Sequence, residues 1–306
     1  MKILLTGSEG QLGRALRGSL PQVLQNSSVE LIATSRSGGD GLVALDLADA
    51  DACRVAVFES KPDWVINAGA YTAVDRAETE PELAQAVNGL APRAFAEALA
   101  QTGGRLLQVS TDFVFNGRQG HPYEPAQPRD PLGVYGTTKA AGEQAIAEVL
   151  GVEREGRAAL LRTSWVYGPG GANFLLTMLR LHRQKAVAAE PLRVVADQVG
   201  CPTSTAGLAA ACWRLVERQL GGVMHWSDAG AASWYDFAVA IGELAEMSGH
   251  LEHAATVLPI SSADYPTPAQ RPAYSLLDCI SSRELMGLMP KHWRQALREV
   301  IADVGS

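Results

Sequence analysis

Lys2-Ile3-Leu4-Leu5-Thr6 runs without a break into Gly7-Ser8-Glu9-Gly10-Gln11-Leu12-Gly13 and then into a helical pattern carried by Leu16 and Leu20. Strand, glycine turn, helix commits the chain to a parallel sheet, because a strand that feeds directly into a helix cannot return as a hairpin. Glycines at 7, 10 and 13 allow a sharp turn and a close approach of backbone to a pyrophosphate, while the helix start offers unpaired N–H groups to the anion. The spacing is GxxGxxG rather than GxGxxG, so its place straight after the first strand carries the dinucleotide-binding reading.

The later apolar runs extend the same pattern. Val29-Glu30-Leu31-Ile32-Ala33 reads as the second strand, whose end normally carries a carboxylate for the ribose of NAD. Here the chain reads Thr34-Ser35-Arg36. Arg36 suits a 2′-phosphate, which favours NADPH over an admissible NADH; a solvated loop arginine is the alternative. Gly41-Leu42-Val43-Ala44-Leu45 is a third short strand, with Asp46 and Leu47 placed to meet adenine. Trp64-Val65-Ile66-Asn67 is a buried strand, and Ala68-Gly69-Ala70 after it is small enough for a cofactor to lie against. Arg105-Leu106-Leu107-Gln108-Val109 delivers Ser110-Thr111-Asp112 at its end, where a hydroxyl can bind a substrate carbonyl or cap a turn. Repeated units of this kind predict an α/β fold, a doubly wound parallel sheet of Rossmann type.

Tyr135-Gly136-Thr137-Thr138-Lys139 supplies chemistry. On a helix starting near Val134 the two outer residues share a face. A phenol has a pKa of about 10, and a neighbouring ammonium lowers it toward useful acid-base work.

The 116–133 segment, with Pro122, Pro125, Pro128 and Pro131, reads as a rigid loop that borders the site or merely connects. Ala158-Ala159-Leu160-Leu161 is the next strand, ending near Trp165, whose indole offers an apolar face to a sugar ring or fills a core. Past Pro169-Gly170-Gly171 a second lobe begins with a helix over 173–184; Val194-Val195 and a helix over 206–220 return to the first domain, and the lobe resumes at Val223 with a Ser233 N-cap and Asp236 and a final helix over 292–300. His225, without a metal or nucleophile pattern around it, reads as structural. Arg271 in a Pro-rich segment either grips a diphosphate bidentately or pairs on the surface. The expected division is a dinucleotide-binding domain of 1–168 with 194–222, and a smaller interleaved α/β substrate-binding lobe of 169–193 with 223–306.

The net charge of -7 and pI near 5.4, with basic residues scattered, argue against nucleic acid or an anionic membrane as partner. No apolar run approaches the ~20 residues that span a bilayer. Cys53, Cys201, Cys212 and Cys279 show no metal-ligand spacing, and the opening MKILLTG is too short for a signal peptide, so a cytoplasmic location is expected.

In this order the motifs resemble the extended short-chain dehydrogenase/reductase superfamily. Within it, the blocks beginning at Asn67, Ser110, Tyr135, Arg162, Asp197 and Tyr265 resemble the dTDP-4-dehydrorhamnose reductase family, over nearly the whole chain. The resemblance implies reduction of the 4-keto group of dTDP-6-deoxy-L-lyxo-4-hexulose by NAD(P)H to dTDP-L-rhamnose. It implies Tyr135 as proton donor, Lys139 on the nicotinamide ribose, Thr111 on the sugar oxygen, and Asp112 and Trp165 against the sugar. Gly10-Gln11-Leu12, Asp46-Leu47 and Ala70-Tyr71-Thr72 would line the cofactor. Phe113 stands where the family commonly has Tyr. Ala15 replaces an acid that some members use in a magnesium-bridged dimer, so no metal is expected, and a homodimer stays open. The alternatives are a nonenzymatic nucleotide-binding regulatory subunit, which would lose the Thr-Tyr-Lys set, or a nucleotide-sugar epimerase or dehydratase, which would hold NAD tightly.

Overall fold

The computed structural model of the protein describes residues 1–21 and 29–305. Its strands β1 (Lys2–Thr6), β2 (Glu30–Ser35), β3 (Val43–Ala44), β4 (Trp64–Asn67), β5 (Arg105–Thr111) and β6 (Ala158–Thr163) join Gly222–His225 in one seven-stranded sheet. The spatial order is Gly222–His225, β6, β5, β4, β1, β2, β3, with every neighbouring pair parallel. The order reverses between β1 and β4, and such a switch point opens a crevice at the carboxyl ends of the strands.

The apolar runs alternate between two cores, as the period of a strand requires. Ile3, Leu5, Trp64, Ile66, Leu107, Ala159 and Leu161 pack with the helices Gln11–Gly18 and Thr205–Glu217. Leu4, Val65, Leu106, Ala158 and Leu160 pack on the opposite face with Ala50–Ser60, Ala91–Thr102 and the helix Val134–Leu150. Burial on both faces explains why these strands read as continuous hydrophobic runs.

The second lobe has its own core, built from Phe174–Val187, Trp234–Met247 and Trp293–Ala302. Asn173 caps the first of these by accepting from the Leu176 N–H, and Ser233 with Asp236 forms a reciprocal capping box on the second.

The expected domain boundaries need three corrections. Gly222–His225 pairs with β6 in register from Gly222↔Ala159 to His225↔Arg162, so a boundary at 222 cuts through a strand of the seven-stranded sheet. Val194 and Val195 pair instead with Pro259 and Ile260, inside the second lobe. Met286, on the helix Ile280–Met286, is buried in the core beneath the seven-stranded sheet. A short apolar run carries no mark of which sheet it will join, and that is why the sequence misplaces these segments.

Candidate active site

The glycine turn is tight because backbone meets backbone. Gly7 has φ +65°, and a Cβ there would lie 2.6 Å from Gly69 Cα; one at Gly13 would lie 2.1 Å from the Gly7 carbonyl. The helix that follows has no side-chain cap at Gly10 and no acid in its first turn. An uncapped N-terminus beside a backbone cradle, at the switch point of the sheet, fits the pyrophosphate of a dinucleotide.

Ser35, at the end of β2, accepts from the Gly38 N–H at 3.1 Å. Arg36 follows it with its side chain 77% exposed and only a 3.9 Å approach to Asp46, too loose and wet a pair to hold it. Leu47 leans over Gly69, where its Cδ1 would lie 2.5 Å from an added Cβ. Ala68, Gly69, Ala70, Tyr71 and Thr72 leave the end of β4, and Asn88 clamps them by accepting from the Tyr71 N–H at 2.9 Å and donating to its carbonyl at 3.0 Å. Asn88 lies in a single wide turn, Ala86–Leu90, a local distortion that often marks a site.

Thr111 ends β5 and Tyr135 opens the neighbouring helix. The Thr111 hydroxyl hydrogen-bonds the Asp112 carboxylate, at 3.0 Å, and lies beside the Tyr135 phenol. The expectation that Lys139 depresses the Tyr135 pKa is not met. Burial pushes the phenol up to about 12, and the neighbouring Thr111 hydroxyl offsets only part of that. Lys139, itself buried, donates its ammonium to the Val109 carbonyl at 2.7 Å, and burial brings it down to about 8. Phe113 packs its ring against Tyr135 edge to face, 5.5 Å between centroids.

Several contributors escape sequence inspection. Thr6 and Asn67, at the ends of β1 and β4, and Gln108, in the middle of β5, are buried polar residues. Thr6 donates to Asn67 Oδ1, Asn67 to Gln108 Oε1, and Gln108 to the same Val109 carbonyl that receives Lys139. The chain links the cofactor turn to the lysine, and its only signal is polar residues inside apolar strands. Glu78 accepts from the Val134 N–H at 2.9 Å and so caps the helix that carries Tyr135 from 56 residues away. Gly133, at the N-cap, has no side chain to do so. Gln11 reaches across to the other lobe, where Asn173 donates to it at 2.8 Å.

Trp165 adopts φ +47°, rare for a bulky side chain, and stacks on Trp234 with 3.6 Å between centroids and 9° between planes. A Cβ on Gly200 would come within 2.8 Å of the Trp165 ring and 3.0 Å of Ser275 Oγ. Ser275 lies beside Asp112, so these groups are contiguous with Thr111 and Tyr135. Arg271 meets Asp75 with two nitrogens, at 3.0 and 2.8 Å, and donates to Thr267 and Ala269. His225 is fully buried between Arg162 and the Asp278 carbonyl, and burial pushes it down to about 3. Among the described residues no cluster of His, Cys, Asp or Glu could hold a metal ion, and no helix is long and apolar enough to cross a membrane.

A family model described as RmlD substrate binding domain matches residues 1–306. The spore coat polysaccharide biosynthesis protein SpsK of Bacillus subtilis is 38% identical over 305 residues, which cover 100% of this chain and 98% of that protein. A dTDP-4-dehydrorhamnose reductase of Streptomyces griseus is 40% identical over 302 residues, covering 97% of this chain and 91% of its own. The crystal structure of dTDP-4-dehydrorhamnose reductase from Bacillus anthracis in complex with NADP superposes with a TM-score of 0.86 at 31% identity, covering 99% of both chains.

Proposed function

This chain belongs to the RmlD substrate binding domain family, and from that premise we propose that it is an NADPH-using dTDP-4-dehydrorhamnose reductase. It reduces the 4-keto group of dTDP-6-deoxy-L-lyxo-4-hexulose to give dTDP-L-rhamnose, a precursor for polysaccharide. The observation that carries this reading is Tyr135 set beside Thr111 at the end of β5, with Lys139 one helical turn on and the glycine cradle two strands away. A regulatory module would have no need of that set.

When bound, the reduced nicotinamide supplies the hydride that reaches the C4 carbon. Tyr135 holds the proton that the developing C4 oxygen receives, and the Thr111 hydroxyl fixes that oxygen's position. Lys139, tethered at the Val109 carbonyl, brings positive charge beside the ribose position. Trp165, stiffened from behind by Trp234, gives the sugar a flat apolar wall. The uncapped helix start at Gly10 and the exposed Arg36 receive the cofactor's pyrophosphate and 2′-phosphate. Arg271 would have to share or release Asp75 to meet the substrate diphosphate. The four cysteines, all buried and reduced, suit a cytoplasmic protein. Any homodimer would form without a metal ligand at Ala15.

The test is loss of reduced-nicotinamide absorbance when the protein meets NADPH and the keto-sugar, with Tyr135→Phe as control. Consumption that needs the sugar and vanishes in the variant supports the reading. Tight NAD that survives purification, with no net NADPH consumption, would replace it with an epimerase or dehydratase.

A further inference from the structure

Asp112 is a carboxyl group in the wrong surroundings for a simple hydrogen-bond acceptor. It is 2% exposed, and one of its oxygens, Oδ2, has no hydrogen-bond partner in the protein. The other oxygen lies 3.0 Å from Thr111 Oγ1, and the Ser275 side chain lies beside the carboxyl group from the second lobe. The groups facing it are Thr111 at the end of β5, the backbone N–H groups of Asp112 and Phe113, Tyr135 from the helix Val134–Leu150 and Ser275 from the lobe, and among the described residues no cation offsets its charge. A buried carboxylate so placed is costly as an anion and cheap as an acid.

We propose that Asp112 is the proton reservoir that recharges Tyr135 through the Thr111 hydroxyl after each reduction. This deepens, and rests on, the reductase reading. Tyr135 loses its proton to the C4 oxygen, breaking one O–H bond and forming another. The resulting phenolate takes the proton of Thr111 Oγ1, and Thr111 takes that of Asp112, so the carboxylic acid becomes a carboxylate. Nothing in the relay is oxidised or reduced. The carboxylate regains a proton from solvent once product leaves the crevice. Energetically the relay runs downhill, since burial raises Asp112 only to about 6 while the phenol stands near about 12. The 3.0 Å separation serves both states, with Thr111 donating to the carboxylate and accepting from the acid. Ser275 acts as the positioning residue, holding the carboxyl toward Thr111 from the far side of the crevice.

The experiment is the pH dependence of kcat and KM for wild type, Asp112→Asn and Ser275→Ala, together with a ¹³C titration of labelled aspartate in the wild-type protein. The Asp112 resonance is the one that moves in Ser275→Ala. The expected result is a kcat that falls as pH rises along a limb matching the Asp112 titration. In Asp112→Asn that limb disappears and kcat at low pH drops by roughly 10²-fold, with KM changing less. Persistence of the limb in Asp112→Asn, or an Asp112 titration in the ordinary range near about 4, overturns the relay while leaving the reductase intact. A wild-type protein that does not turn over the keto-sugar overturns the reductase reading itself, and the relay with it.

Discussion

Arg162 on β6 meets the carboxylate of Glu143 with two nitrogens, Nη2 at 2.7 Å from Oε2 and Nε at 3.0 Å from Oε1, and neither side chain is more than 4% exposed. Glu143 lies one helical turn beyond Lys139, and Ser110 of β5 also donates to it. The pair therefore pins the helix of Tyr135 and Lys139 to the strands that carry Ser110 and Thr163. Removing one member leaves the other charged and buried, and Glu143→Gln should cost about 3–5 kcal/mol in urea unfolding. Replacing both, as Glu143→Leu with Arg162→Met, should be far milder. A single substitution as mild as the double would mean that the pair does not clamp the helix.

Tyr135→Phe keeps the edge-to-face contact with Phe113 and removes only the hydroxyl. Turnover should fall by roughly 10²–10⁴-fold, the usual worth of general acid-base catalysis, with NADPH affinity by fluorescence titration nearly unchanged. Turnover at the wild-type rate would remove Tyr135 from the chemistry.

Much of this was legible in the residues, and what was not has physical causes. The order of strand and glycine turn, the strand ends at Thr111 and Thr163, and the helix start at Val134 all follow local rules of period and turn chemistry. Partnership across long sequence distance does not. Glu78 capping Val134, Asp75 holding Arg271 and Ser275 reaching Asp112 are carboxylates and a hydroxyl with no local signature. The surroundings of Tyr135 escape the sequence for a related reason. Spacing places Lys139 on its face, but only the fold shows the ammonium committed to the Val109 carbonyl and the phenol desolvated.

Glu78 holds the N–H of the residue immediately before Tyr135. Glu78→Ala should cost about 0.5–2 kcal/mol, as other lost helix caps do, and should lower kcat more than it raises KM because the phenol loses its fixed position. Stability lost with kinetics intact would confine Glu78 to a structural part.

Arg36 is loosely paired and exposed at the end of β2. Arg36→Ala should weaken NADPH binding by about tenfold, on the order of 1.4 kcal/mol, and leave NADH binding little changed, measured by fluorescence titration of both cofactors. Equal losses for the two would show that the guanidinium does not read the 2′-phosphate.

His225 gives the acid response of the fold a definite sign. Burial first, and then the Arg162 guanidinium 3.4 Å from Nε2, hold its folded pKa at about 3. The unfolded chain has an ordinary histidine near about 6.5. Between these values the unfolded state binds more protons, so stability rises with pH; it is complete above about 6.5 and is lost as pH falls toward 3. The slope from this one group reaches up to about 1.4 kcal/mol for each pH unit. Asp112 and Asp228, both raised to about 6 chiefly by burial, act the opposite way between roughly 4 and 6, because there the folded state holds the extra protons. Total stability against pH would blur these contributions, whereas the difference between wild type and His225→Asn isolates one. Asn cannot protonate, yet its amide can still donate to the Asp278 carbonyl that receives the imidazole at 3.1 Å. Urea unfolding from pH 7 to pH 4 should therefore show the variant losing less stability than wild type. Parallel curves would place the acid sensitivity of the fold elsewhere than in this buried imidazole.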